Sequence, residues 1–164
     1  SVIILGQFRA ADFGDMWRTK ELELMCPNNP LGTVDLLFAS SHGAIASGSL
    51  PFVHGLRPRV VLMQNGTRKG GAVEPMKTIL SSPGLENLWQ MHWSYNAGIE
   101  QNTPAQFIAN VDEPAQIATV LGGGGGRGNA AHAPAYWLRV SASPDGSFTI
   151  TNPRNGFSKS YAKR

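Results

Sequence analysis

The sequence predicts an α/β fold, in which helices cover a sheet of largely parallel strands. Short apolar runs alternate with segments of helical pattern in the order strand, helix, strand, helix, strand, and this order implies crossover connections. Apolar residues make up 41% of the 164 residues, enough for one core. No apolar run approaches the roughly 20 residues needed to span a bilayer, so we expect no membrane segment.

The first elements are two strands at residues 2–5 and 8–12, joined by a turn at Gly6. A helix is predicted over residues 19–25, capped by Thr19, with Glu21 placed favourably near its positive end. The alternating Glu-Leu-Glu-Leu of this segment would also fit a strand. The continuous apolar run at residues 34–40 is typical of a strand buried on both faces.

Further along the chain, Ser49 is placed to cap a short helix that runs through Leu56. A strand is predicted over residues 59–63, a turn at residues 65–66, a second helix over residues 74–80 and a further strand over residues 88–93. These elements continue the alternation of strands and helices.

The composition changes at residues 122–128, where six of seven residues are glycine. Such a run is costly to order, so we expect a flexible glycine-rich loop over residues 121–130. Beyond it, residues 136–141 and 147–151 alternate like a terminal β-hairpin. A hairpin is too small to fold alone, and we therefore predict one domain over residues 1–164.

The net charge is +3, and the cations are clustered. A basic surface attracts polyanionic substrates or nucleic acid, although the sparse aromatic residues around the clusters favour a solvated surface. The lone Cys26 excludes an internal disulfide and a thiolate metal site. The basic clusters are Arg57, Arg59, Arg68, Lys69 and Lys77 in the middle, and Arg154, Lys159, Lys163 and Arg164 at the end.

Two candidate metal ligands, Asp15 and His42, each follow an apolar run. Side chains at the ends of neighbouring strands can converge on one divalent cation. Asp15 has a competing interpretation, as a cap for the element at residues 16–17. Asp12 would orient the turn at residues 14–15. A catalytic zinc needs about three protein ligands, so this pair alone is incomplete.

Several motifs resemble the C-terminal half of a metallo-beta-lactamase-fold hydrolase, and more narrowly the ComEC-type competence proteins and their exported stand-alone relatives. They are Phe-Arg-Ala-Ala-Asp-Phe-Gly-Asp at residues 8–15, Val-Asp-Leu-Leu-Phe-Ala-Ser-Ser-His-Gly at 34–43 and Leu-Arg-Pro-Arg-Val-Val-Leu-Met-Gln-Asn-Gly at 56–66. Residues 65–71, 82–90 and 151–159 resemble the stand-alone group as well. The resemblance covers most of the chain outside the glycine run.

The resemblance implies half of an αββα sandwich with a one- or two-metal site, usually Zn²⁺, at which a metal-activated hydroxide attacks an anionic ester such as a phosphodiester. Asp15 matches the family's Gly-Asp motif and His42 the histidine after the next strand. The hallmark His-x-His-x-Asp-His motif is absent from this sequence. We therefore expect a C-terminal fragment, inactive in isolation, of a parent enzyme that would be an exported protein.

The family's His-His-Gly reads Ser41-His42-Gly43 in this sequence. If the first histidine is the ligand, Ser41 has replaced it, and if the second is, His42 preserves it. Arg68 and Lys69, beside two glycines, are the candidate contacts for the anionic substrate. The alternative function is a non-catalytic binding module that contacts nucleic acid through its basic tail. An isolated half-sandwich would leave one apolar sheet face uncovered.

Overall fold

The computed structural model describes residues 1–111 and 135–164. The predicted glycine-rich loop lies outside the described residues. The described residues form nine strands, three α-helices and two short 3₁₀ helices. The strands are β1 (Val2–Leu5), β2 (Phe8–Ala11), β3 (Leu36–Phe38), β4 (Val60–Met63), β5 (Asn87–His92), β6 (Ile108–Asn110), β7 (Arg139–Ala142), β8 (Phe148–Asn152) and β9 (Phe157–Tyr161); the helices are α1 (Arg18–Met25), α2 (Leu50–Leu56) and α3 (Val73–Leu80), with 3₁₀ turns at Ser40–Gly43 and Ala105–Phe107.

The first six strands form one mixed sheet in the order β1-β2-β3-β4-β5-β6. β1 is antiparallel to β2, and every later neighbour is parallel. Helices α1, α2 and α3 lie in the crossovers between β2 and β5, which confirms the predicted α/β class. Strands β7, β8 and β9 form a separate antiparallel sheet.

Both faces of the central strands are buried because successive side chains point to opposite sides. Leu37, Val61 and Leu88 belong to the core on the helical side. Their neighbours Leu36 and Trp89 belong to a second core that includes residues of the small sheet. The described part of the molecule therefore has three layers: helices, the six-stranded sheet and the three-stranded sheet.

The expectation of an uncovered apolar sheet face is wrong for β2–β5. Phe148, Ile150 and Tyr161 of the small sheet are at most 2% exposed and pack against that face. The outer face of the small sheet is polar, and its Thr149 and Ser160 hydroxyls lie 2.8 Å apart. The small sheet thus completes the core and presents a polar surface. Among the described strands, only the edge strand β1 keeps large apolar side chains exposed.

The structure corrects the predicted start of α1. The helix begins at Arg18, so Thr19 lies inside it and caps nothing. Glu21 is fully buried, and its carboxylate accepts hydrogen bonds from the backbone N–H groups of Gly48 and Ser49 at 2.9 and 2.7 Å. It therefore holds the two residues that lead into helix α2, where the Ser49 side chain makes no capping bond. Strands β6 and β9 were not predicted. β6 has only three consecutive apolar residues at 107–109, whereas the equally short β3 lies within the longer run at residues 34–40, and β9 alternates with polar residues.

Arg59 joins the layers at the amino ends of the parallel strands. It is 7% exposed, and its guanidinium lies 2.6 Å from the Glu86 carboxylate and donates to the Ala162 carbonyl at 2.7 Å. The same group lies over the rings of Phe148 and Tyr161. Arg59 was predicted as part of an exposed basic cluster, and it is instead a buried structural residue.

Burial raises the pKa of Tyr161 to about 12, above the usual value of about 10. The folded state holds the neutral phenol, whereas the unfolded chain releases its proton near pH 10. The free energy of unfolding should therefore fall as the pH rises from about 10 to about 12, and be unaffected by this group at lower pH. Urea unfolding across this range measures the effect.

Tyr161→Phe should flatten that pH dependence, although it also removes hydrogen bonds to Trp89 and Asn87. The control is Tyr136→Phe, because Tyr136 is 49% exposed and should leave the slope unchanged. An identical slope in wild type and Tyr161→Phe would contradict the prediction.

Candidate functional site

The predicted site residues meet at the carboxyl edge of the six-stranded sheet. β2, β3 and β4 are parallel, so the segments that follow them emerge on the same side. These segments are residues 12–17, 40–43 and 64–71. They carry Asp15, His42, and Arg68 with Lys69, respectively. The topology therefore gathers all four predicted residues at one edge.

Asp15 and His42 face each other directly. The His42 Nε2 lies 3.2 Å from the Asp15 Oδ1, and their side chains are 28% and 70% exposed. The turn that presents Asp15 is formed by Asp12, whose Oδ1 accepts the Gly14 N–H at 2.9 Å. The Gly14 carbonyl in turn accepts the Ser41 N–H at 2.9 Å. Asp12 thus orients the turn as predicted, and the two loops are bonded to each other.

The His42 ring is held between two hydrogen-bond acceptors. Its Nδ1 lies 2.9 Å from the Gln64 carbonyl oxygen, and its Nε2 faces the Asp15 carboxylate. A carbonyl oxygen can only accept, so the Nδ1 must carry the proton of this bond. The Nε2 then either carries a second proton, which makes the ring a cation paired with Asp15, or offers its lone pair to a cation. Histidines that bind metals usually donate their other ring N–H to a carbonyl or carboxylate in this way.

The backbone at His42 is strained. Ser41 and His42 have φ values of 46° and 60°, in the left-handed region that non-glycine residues rarely adopt. Gly43 follows with φ 73°. Strain of this kind costs of order 1–3 kcal/mol per residue and is concentrated at functional sites. It persists here because neighbouring segments fix the loop.

Gly70 and Gly71 clamp the His42 loop. The Gly71 N–H donates to the His42 carbonyl and the Ala72 N–H to the Gly43 carbonyl, both at 2.9 Å. A Cβ on Gly70 would lie 2.0 Å from the His42 carbonyl oxygen, a separation no real side chain tolerates. Only glycine allows these two loops to approach so closely.

Arg68 and Lys69 project from the same clamping loop. Both are exposed, and neither forms an ion pair with any other described residue. The Asn96 side-chain amide donates to the Arg68 and Gly70 carbonyls at 2.9 and 2.8 Å, which fixes the backbone beneath them. Two unpaired cations are thus held at the edge that carries Asp15 and His42.

A buried polar network beneath this loop was missed by the sequence reasoning. The Ser94 hydroxyl donates to the Gly71 carbonyl at 2.7 Å, and the Ser94 N–H donates to Asn102 at 2.8 Å. Asn102 also accepts from Gln90, which is fully buried. Asn65, predicted only as a turn residue, bonds to the backbone of His92. Isolated Ser, Asn and Gln carry no periodic signal, so only the fold brings them together.

The remaining candidates have structural contacts. The Ser41 hydroxyl is directed to the Met16 carbonyl, 3.4 Å away, so His42 is the residue of this pair that faces Asp15. His54 lies within hydrogen-bond distance of the Thr78 carbonyl and links α2 to α3. Among residues 1–111 and 135–164, no third His, Cys, Asp or Glu forms a metal-binding group with this pair.

Comparisons with protein-family models, curated proteins and solved structures found no match to this chain. Support for a function therefore comes from the geometry of the described residues and from the motif resemblance. No helix in the described ranges combines the length and apolar character needed to cross a membrane.

Gly70→Ala should destabilise the protein and displace the His42 loop. The left-handed backbone at φ 70° costs roughly 1–2 kcal/mol for alanine, and the clash with the His42 carbonyl adds about 1–3 kcal/mol. Urea unfolding measures the loss, and the His42 ring resonances in NMR report the displacement.

Gly156→Ala is the matched control, because Gly156 has φ 71° but nothing lies within 4 Å of the position that a Cβ would take there. Gly156→Ala should lower the free energy of unfolding only by the cost of the left-handed backbone. It should leave the His42 ring resonances unchanged. Equal losses of stability in the two variants would contradict the clamp.

Proposed function

We propose that this chain is part of a metal-dependent hydrolase of the metallo-beta-lactamase superfamily, acting on a phosphodiester or a similar anionic ester. Asp15 and His42 are two of its metal ligands, and Zn²⁺ is the expected metal. Arg68 and Lys69 bind the anionic group of the substrate. The proposal combines the motif resemblance with the geometry at the carboxyl edge of the sheet.

The separation of Asp15 and His42 is the observation that supports the proposal most directly. Zinc binds imidazole nitrogen and carboxylate oxygen at about 2.0–2.2 Å, so two ligands in tetrahedral arrangement lie about 3.4 Å apart. The Nε2 and Oδ1 lie 3.2 Å apart, close to that value. The hydrogen bond from Nδ1 to the Gln64 carbonyl leaves Nε2 as the atom available for the metal.

A bound zinc would lower the pKa of a water molecule and neutralise charge that develops on the substrate. The chain's own residues have separate tasks. Asp15 supplies a negative charge that favours cation binding, and the clamped backbone holds His42 in place. Arg68 presents a planar fork that matches phosphate oxygens, and Lys69 acts as a point charge.

Two ligands are too few for a catalytic zinc, so the proposal requires further ligands from elsewhere in the protein or from a partner. The Asp15 side chain is 70% exposed, which leaves the pair accessible to a ligand from another segment. Trp17 and Ile45, which lie close to Asp15 and His42 along the chain, are exposed as well.

The alternative of a nucleic-acid-binding basic tail gains no support from the contacts of that tail. The Arg154 guanidinium donates to the Ala105 and Ile108 carbonyls, and the Lys159 ammonium lies 5.5 Å from the centre of the Tyr161 ring. Arg154 and Lys159 are therefore less free to follow the backbone of a nucleic acid. The alternative stays a prediction, and a steep salt dependence of nucleic-acid binding without metal would favour it.

Zinc binding tests the ligand assignment. His42→Gln and Asp15→Asn should each weaken zinc affinity by about tenfold or more, since even residues outside the ligand set cost that much. Isothermal titration calorimetry of the isolated chain measures the affinity. His54→Gln is the control, because His54 bonds to the Thr78 carbonyl on the helical side. Equal affinity in all four proteins would overturn the assignment.

Hydrolysis of a chromogenic phosphodiester tests the activity. The isolated chain should be inactive, and in the full-length parent His42→Gln should reduce kcat by about a hundredfold or more. Replacing Arg68 and Lys69 with Gln should instead raise KM, because these residues bind the anion before and during the reaction. Full activity of the parent with His42→Gln would contradict the proposed role.

A further inference from the structure

A cavity of about 480 Å³ opens at the amino edge of the sheet, opposite the edge that carries Asp15 and His42. Its walls come from the segments that precede β3, β4 and β5, together with Arg164 after β9. The residues of the proposed hydrolase site do not line this cavity. The volume is within the range of small-molecule sites.

Three arginines line the cavity: Arg57, Arg59 and Arg164. The two carboxylates nearest to them already contact arginine side chains. Glu86 lies 2.6 Å from the Arg59 guanidinium, and the buried Asp35 lies 3.8 and 3.9 Å from Arg59 and Arg164. The three arginine side chains thus face two carboxylate side chains.

Arg57 differs from the other two arginines, which both contact a carboxylate. Its side chain is exposed, and no ion pair with any residue of the described ranges involves it. Its backbone is held in the left-handed conformation at φ 45°, and its carbonyl accepts a hydrogen bond from the Arg164 guanidinium at 3.2 Å. The two arginines are therefore tied together at one wall of the cavity.

We propose that this cavity binds a small anion that carries a phosphate group, through the guanidinium groups of Arg57 and Arg164. Guanidinium forks match phosphate oxygens in two-point geometry, and Arg57 and Arg164 line the cavity from two chain segments. The Thr33 hydroxyl, 3.5 Å from the Arg164 guanidinium, adds a further donor on the same wall. Arg59 fixes the floor, because it is buried and bound to Glu86.

The cavity is larger than one phosphate ion requires. A phosphate group bound by Arg57 and Arg164 leaves room for an attached organic moiety, which would extend along the Pro83-Gly84 turn that forms another wall. The proposed ligand class is therefore a small anion with a phosphate group. This site is independent of the proposed hydrolase function, since its residues and its edge of the sheet are different.

Titration of the full chain with inorganic phosphate at constant ionic strength tests the proposal by NMR. Amide resonances of Thr33, Arg57, Gly84 and Arg164 should shift and saturate, with Kd on the order of a millimolar for a ligand of so few atoms. Arg57→Asn should weaken this binding about tenfold, the usual effect of losing a hydrogen bond to a charged group. Asparagine tolerates the left-handed backbone, so the variant should stay folded.

Arg164→Gln should weaken phosphate binding similarly, whereas Arg139→Gln should have no effect, because Arg139 is exposed on the separate small sheet. A spectrum that matches wild type outside the cavity verifies that each variant is folded. Shifts that spread over all basic surfaces, or that persist unchanged in Arg57→Asn, would overturn the proposal. Equal affinity for acetate at the same residues would also overturn it, because the cavity would then select charge and not phosphate.

Discussion

The contact between the His42 loop and the Gly70-Gly71 segment is the constraint on which the candidate site depends. Two backbone hydrogen bonds join the segments, and the space between them admits no Cβ on Gly70. His42 sits in a strained left-handed conformation, which an unsupported loop would relax. The clamp therefore determines where the imidazole points, and the buried Ser94 supports the clamp from below.

The layers beneath the site explain how the six-stranded sheet holds these loops in place. Each central strand contributes side chains to two cores, so the strand ends are fixed from both faces. At the opposite edge, buried Arg59 bonds to Glu86 and to the chain after β9. The small sheet is therefore joined to the main sheet by packing, by ring contacts and by a charge-assisted bond. A polar outer face allows it to end the stack of layers.

The sequence predicted the elements with strong patterns and missed those without them. The apolar runs before Asp15 and His42 identified two parallel strands and the residues that follow them, because a buried strand needs a continuous apolar run. β6 was missed since only three consecutive apolar residues mark it, whereas the equally short β3 lies within a longer run. The burial of Glu21 and Arg59 could not be predicted from composition. The hydrogen-bond partners that stabilise the two charges, the Gly48 N–H and the Glu86 carboxylate, are each 27 residues away along the sequence. Such partners become neighbours only through the fold.

The site residues show the same division. Asp15 and His42 were predicted from their positions after strands, and parallel topology then required their convergence at one edge. The Gln64 carbonyl that orients the imidazole has no sequence signal, because every residue carries a carbonyl. Chemistry-bearing side chains are thus easier to predict than the backbone that positions them.

The central claim concerns the orientation of the His42 ring. Its Nδ1 carries a proton and donates it in a hydrogen bond to the Gln64 carbonyl, and its Nε2 is directed at Asp15. Long-range proton–nitrogen NMR of the His42 ring, recorded with and without Zn²⁺, tests this directly. We expect a protonated Nδ1 in both spectra and a large change of the Nε2 resonance when zinc is added. A neutral ring protonated at Nε2, with no response to zinc, would contradict the claim.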